Sequence, residues 1–383
     1  MKTPINILYI CHDRVKIAGA ALSLLNLLES LDGTCYKPIV LVRKGVVRDL
    51  FTNHGYECIS FPYQLTLARK TNIIKRKIRL MLDNLVNNLC VLYLAYKFKN
   101  NKISIVHSNS TATDIGFYIA KKLKAKHVWH LREFLNLDFN TSPSKGWDDL
   151  YGKIYRSDYV IAITQKIYAH WKLYNCSNAK IIFDAVRSKK DITYQPQKEK
   201  FIIFCAATLG DGKGADVAIK LFCLSELSTS GYRLKMIGSY TEDYKRKLDT
   251  IAAKYHQQDY IDYLGFKNDI AAYFVRASAF LMCSVSEALG RVTIEAFFYG
   301  CPVLGHNSGG TSELLKDGET GYLYDSEEEG ARKLKLIIEK PQETQLIVQQ
   351  AIKYAEQTFT TEVYGDKICN IYEYLLDNKK EII

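Results

Sequence analysis

Two carboxylates, Glu287 and Glu295, stand eight positions apart with Gly290 between them. From Arg291 the chain reads as a helix that stops at Gly300 and is closed by Pro302, since glycine past a helix end and proline just beyond it terminate helices. A short apolar strand at Val303 and Leu304 follows, then a second glycine loop at 307–313 that opens another helix. A loop–helix–strand–loop–helix run of this kind places polar groups and free helix N-termini at one edge of a parallel sheet, and such edges bind anionic ligands. A third glycine-rich stretch, 208–214, carries Lys213 between an apolar run and a helical one. It is not a Walker A loop, because Lys213 is followed by Gly214 rather than by serine or threonine.

The elements that must hold these residues alternate along the chain. Apolar runs at 6–11, 38–42, 57–61, 103–107, 127–130 and 159–163 read as strands, separated by helical stretches such as 20–31. A second series begins at 201–206 and continues at 232–237, 260–264, 279–283 and 302–304. Strands alternating with helices predict doubly wound parallel sheets. With 383 residues, two such domains are expected. The polar, proline-containing stretch 186–200 is the expected linker. It leaves an N-terminal domain at 1–185, a C-terminal domain at 201–359 and a helical tail at 360–383.

The block from Glu287 to Glu313 resembles the nucleotide-sugar site of family-4 retaining glycosyltransferases, which have the GT-B fold. The two acids with seven residues between them carry the resemblance, together with Gly290, the turn at Gly300, Cys301, Pro302 and Val303, the glycine pair and Glu313. The resemblance implies two Rossmann-like domains facing across a cleft, with the tail crossing back to the first. It implies that Glu295 accepts the ribose hydroxyls of the donor, and that Glu287 grips the transferred sugar or stabilises positive charge at its reacting carbon. Ala288, Leu289, Gly290, Gly309, Gly310 and Thr311 would offer backbone N–H groups to phosphate or sugar oxygens, and backbone near Phe266 would select the base. Lys213 fits the family's phosphate cation. Thr208 occupies the position of the family's second cation, an arginine, and Arg291 is the candidate to replace it. In the N-terminal domain only Gly19 of the family's glycine pair is kept, Ala18 taking the other place. His130 sits where the family has a histidine near the outer sugar hydroxyls. His107, Ser108, Asn109 and Arg132 are candidates for the acceptor side.

Bulk properties limit the alternatives. Hydrophobic content of 48% and charged content of 24% are globular values. The ten cysteines are scattered, with no Cys-x-x-Cys pair, and fit reduced thiols in a cytoplasmic protein. No N-terminal signal peptide is evident, and no uninterrupted run of about 18 apolar residues predicts a membrane span. The net charge of +11 lacks any accompanying nucleic-acid motif. Part of it lies in 69–102, where Arg69, Lys70, Lys75, Arg76, Lys77 and Arg79 interleave with apolar residues. A basic amphipathic helix of this sort suits an anionic membrane surface on the cytoplasmic face and an enzyme with a lipid-linked acceptor; a core-facing helix with a solvated basic face is the plainer reading. No Asp-x-Asp triplet occurs, so a nucleotide sugar (UDP- or GDP-linked) is expected to be neutralised by protein cations with no required cofactor or metal. Three functions fit this sequence. One is sugar transfer to a saccharide or lipid-linked acceptor in surface polysaccharide or glycolipid assembly. The second is different chemistry on the same scaffold, such as a nucleotide-sugar epimerase. The third is a non-catalytic binder, favoured by Thr208 and Ala18 and disfavoured by the intact glutamates.

Overall fold

The computed structural model describes residues 4–15, 17–68 and 73–377. Arg69 and Lys70 of the basic segment, and the last residues of the tail, lie outside these. Contacts divide the chain into two compact units, residues 1–185 with 361–383 and residues 186–360.

The first unit is built on seven strands, β1 (Ile5–Cys11), β2 (Tyr36–Val42), β3 (Glu57–Ser60), β4 (Ile103–Ser108), β5 (Lys126–Leu131), β6 (Tyr159–Ala162) and β7 (Ala179–Ile181). They lie in the order β3-β2-β1-β4-β5-β6-β7, and every pairing is parallel. The second unit has six strands: β8 (Glu199–Thr208), β9 (Arg233–Ser239), β10 (Ile261–Gly265), β11 (Ala277–Met282), β12 (Val303–His306) and β13 (Tyr322–Tyr324). Their order is β10-β9-β8-β11-β12-β13, again all parallel. Both sheets are thus α/β sheets of the Rossmann type. The central strands read as continuous apolar runs because helices cover both faces: Ile7 through Cys11 are fully buried. The strands β7 and β13, three residues each, carry too little pattern to be read from sequence.

The helix Thr361–Leu376 belongs to the first unit and fills its core with Tyr364, Ile368, Ile371, Tyr372 and Leu375. It packs on the helix Gly19–Ser30 at Gly365, where a Cβ atom would lie 2.8 Å from the Ser30 carbonyl oxygen. Its tyrosines meet polar groups at the ends of β4 and β5. The Tyr372 hydroxyl lies 2.9 Å from the Tyr9 hydroxyl and 2.7 Å from His107 Nδ1. His107 Nε2 is 3.3 Å from His130 Nδ1. Arg132 Nε donates to the Asn109 carbonyl and to its Oδ1, each at 3.1 Å, and the guanidinium also pairs with Asp184. His127 is held between Ser108 Oγ and Ser157 Oγ, both at 2.9 Å. Burial pushes the His127 imidazole down to about 3. It holds His107 and His130 well below the ordinary histidine range, with the Arg132 charge adding to the effect.

Two predictions follow from this packing. Gly365→Val should prise the C-terminal helix from its partner at a cost of about 1–3 kcal/mol, seen as a lower unfolding temperature and faster proteolysis of the tail; an unchanged melting curve would contradict the contact. The second concerns pH. The buried imidazoles stay neutral in the fold but titrate near 6.5 when unfolded. Over that window the unfolded chain binds the extra protons, so stability is full above about pH 6.5 and declines as pH falls. His127→Gln should remove about 1.4 kcal/mol per pH unit from the slope of stability between pH 6 and 5, measured by urea unfolding of the first unit. An unaltered slope would show that His127 is not buried neutral.

Candidate nucleotide-sugar site

Lys213 lies in a single 3-10 turn, Asp211–Lys213, between β8 and the helix Ala215–Leu224. Gly214, with φ of +73°, lets this turn run against the backbone after β11, where a side chain would strike the Cys283 carbonyl. Ser284 Oγ donates to the Gly212 carbonyl at 3.2 Å and fixes the same approach. The consequence is that Lys213 Nζ lies 2.5 Å from Glu287 Oε1, with the carboxylate side chain 17% exposed. Lysine and glutamate, 74 positions apart in sequence, meet in one ion pair. Asp211 on the same turn accepts from the Tyr244 hydroxyl at 2.9 Å and from Lys247 Nζ at 2.6 Å.

Gly290, at φ +83°, caps the helix Arg291–Phe298. Thr293, Ile294, Ala296, Phe297 and Phe298 are buried on that helix, which turns Glu295 to the opposite side. Its carboxylate lies 3.6 Å from Arg187 Nη2. Burial raises the Glu295 pKa, and the charges of Arg291 and Arg187 work against that rise. The helix therefore carries a carboxylate between two guanidinium groups, four residues from one of them on its own surface. A carboxylate in that setting can accept two neighbouring hydroxyls, while an exposed ammonium beside Glu287 can meet a phosphate.

The glycine loop differs from expectation. The Gly310 N–H donates to the Glu287 carbonyl at 2.6 Å, so it is not directed at a ligand. A Cβ at Gly309 would lie 2.8 Å from the Glu287 carbonyl oxygen, and one at Gly310 2.6 Å from that of Ala288. These glycines are there so that two loops can touch. The helix that follows, Thr311–Leu314, is only four residues long, too short to present a developed dipole. Thr311 is fully buried, and its Oγ1 has no hydrogen-bond partner. Leu289 and Gly290 are buried, and Ala288 is partly so. Thr208 ends β8 exposed, in register with Ser239. Phe266, just past β10, is 56% exposed.

In the first unit Gly19 is exposed at the start of its helix, where the Ala21 N–H bonds to Asp13. His107, Ser108, Asn109, His130 and Arg132 are all buried in the polar seam described above. Their side chains are buried and hydrogen-bonded within the first unit: His107 to Tyr372 and Arg132 to Tyr364 of the C-terminal helix, Ser108 to His127, and Asn109 to the Ala20 carbonyl. Sequence reasoning passed over two cations near the second unit's site. Arg187 sits in the polar linker with no local pattern to mark it, and Lys247 is one of three consecutive basic residues on the helix Glu242–Ala253. Among the described residues no group of three or more His, Cys, Asp or Glu side chains is placed to hold a metal ion.

Residues 186–356 match the family model described as Glycosyl transferases group 1. A Klebsiella pneumoniae protein described as an uncharacterized 41.2 kDa protein in the cps region is 28% identical over 158 residues, 39% of this chain and 42% of that protein. A Haemophilus influenzae protein described as an uncharacterized glycosyltransferase is 29% identical over 133 residues, 34% of this chain and 37% of that one. The chain thus spans about two fifths of the length of these curated relatives. The crystal structure of Anabaena HepE with UDP aligns with 97% of this chain and 100% of its own at 18% identity, with a TM-score of 0.78. The same protein has been solved with UDP-glucose. At that identity the likeness establishes the fold. Residues 186–356 are thus similar to glycosyl transferases group 1, in a chain whose fold is that of HepE, a GT-B fold of two Rossmann-type sheets.

Proposed function

We propose that this chain is a retaining glycosyltransferase of family 4 that moves a sugar from a UDP- or GDP-sugar to a saccharide or lipid-linked acceptor in the cytoplasm. The observation that carries the reading is the 2.5 Å pairing of Lys213 with Glu287 in a glycosyl transferases group 1 domain. The UDP and UDP-glucose complexes of HepE support UDP as the first donor to test, and the Klebsiella relative's place in a cps region supports surface polysaccharide assembly. Ten free cysteines fit a reducing compartment. The comparisons favour transfer over an epimerase or a non-catalytic binder.

In this reading the bond between the anomeric carbon and the diphosphate oxygen breaks while the acceptor oxygen bonds to the same face of that carbon. The acceptor proton passes to the departing phosphate oxygen. Lys213 swings from Glu287 to the diphosphate and meets the charge that grows there, which is where a fixed cation lowers the barrier most. Freed of the lysine, Glu287 accepts the sugar hydroxyls and holds the ring in place. Glu295 accepts the ribose hydroxyls, and Arg291 and Arg187 oppose the rise in its pKa that burial causes. Arg291 supplies the charge absent at Thr208, so no metal is required.

Lys213→Ala should lower turnover by about 100- to 1,000-fold, as for removal of one transition-state donor, measured by nucleotide release with acceptor present. Turnover within threefold of the parent would remove the lysine from the mechanism. Arg291→Ala and Arg187→Ala should each weaken UDP binding by calorimetry. The Arg187 loss should be larger at pH 6 than at pH 8, because without its guanidinium the Glu295 carboxyl takes up a proton more readily as pH falls. Equal losses at the two pH values would separate Arg187 from Glu295.

A further inference from the structure

The helix Ile73–Lys97 presents an apolar stripe to the outside of the first unit. Ile78, Met81, Leu85, Leu89, Leu92 and Tyr96 recur at intervals of three and four, and all are exposed, Met81 by 67% and Tyr96 by 81%. At the helical rise they extend over roughly 27 Å. Scattered apolar residues on a surface need no explanation, but an unbroken row of this length does. The other side of the helix is committed to the protein. Cys90, Leu94 and Phe98 are buried with Ile115 and Ile119 against the sheet, and the Asn87 side chain bonds both backbone groups of Gln64, at 2.7 and 3.2 Å.

Charge says what covers the stripe. Lys75, Arg76, Lys77 and Arg79 are exposed at one end, and Lys97, Lys99 and Lys102 are exposed at the other. The only acid between residues 73 and 102 is Asp83, which pairs with Arg79 at 3.3 Å. A second copy laid along the stripe would bring like charges together in either orientation. By length and composition residues 74–97 are apolar enough to cross a membrane, contrary to the expectation from uninterrupted runs, which Asp83 and the asparagines break. Crossing is nonetheless barred by topology. The strands on either side, β3 and β4, belong to one sheet, and the buried side of the helix cannot leave that sheet's core. We propose that this helix lies in the plane of an anionic phospholipid bilayer, the stripe among the acyl chains and the two basic ends against the headgroups. The proposal does not depend on the glycosyl-transfer reading.

Co-sedimentation of the full chain with vesicles tests it. Binding is expected to vesicles of phosphatidylcholine with one quarter phosphatidylglycerol, and should weaken in high salt and on pure phosphatidylcholine. The variant K75Q/R76Q/K77Q/R79Q should lose roughly 100-fold or more in partitioning to anionic vesicles, at several-fold for each cation removed. The variant M81S/L85S/L89S should lose a comparable amount while its thermal unfolding matches the parent, since these side chains are already in water. Absence of parent binding to anionic vesicles would overturn the proposal, as would parent-like binding by both variants. Dimerisation that the serine variant abolishes, without vesicle binding, would assign the stripe to a second copy and overturn it too. So would resistance of the vesicle-bound chain to alkaline extraction, which would mark a spanning helix.

Discussion

Close passage of backbone against backbone at the edge of the second sheet is the constraint on which the rest of the site depends. Three glycines permit it: Gly214 against Cys283, and Gly309 and Gly310 against Glu287 and Ala288. A Cβ at any of them would occupy space already filled by a carbonyl group. Because the turn at 211–214 is pressed onto the loop after β11, an ammonium and a carboxylate far apart in sequence come within 2.5 Å. An exposed lysine–carboxylate pair contributes little to stability. Its consequence is placement, since the contact holds both charges together at the sheet edge.

The two charged pairs of the site are tuned differently. Lys213 and Glu287 are open enough for the lysine to change partner. Burial raises the Glu295 pKa, and Arg291 on its own helix and Arg187 from the linker oppose that rise. The first unit follows another rule. Its strand ends are rich in polar residues, yet these are spent on one another and on Tyr364 and Tyr372, and every imidazole among them is kept neutral by burial.

Most of the architecture was legible because both sheets are parallel and covered on both faces, so each central strand announces itself as an apolar run. The three-residue strands β7 and β13 were not, being shorter than any periodic signal. Within the second unit, the resemblance singled out Lys213 and Glu287, and the structure pairs them at 2.5 Å. The Gly310 N–H bonds the Glu287 carbonyl, a use of glycine in loop-to-loop contact that looks the same in sequence as one for a phosphate. His107, His130 and Arg132 lie at strand ends as read, and their side chains are buried there. Whether a strand-end side chain meets solvent depends on a helix more than 200 residues away, which no local pattern encodes. Arg187 was missed because its partner, Glu295, is far from it in sequence and nothing around Arg187 marks the contact.

The position of the helix Thr361–Leu376 has a consequence for biogenesis. Residues 186–360 are an insertion within the first unit, whose core takes side chains from both sides of it in sequence. On a ribosome the opening 185 residues emerge first but cannot close around Tyr364, Ile368 and Tyr372 until the last segment is made. The inserted half has its whole hydrophobic core in hand before then. Maturation therefore runs against the usual order of synthesis, in which the leading portion folds first, and the nascent opening half waits with part of its interior uncovered.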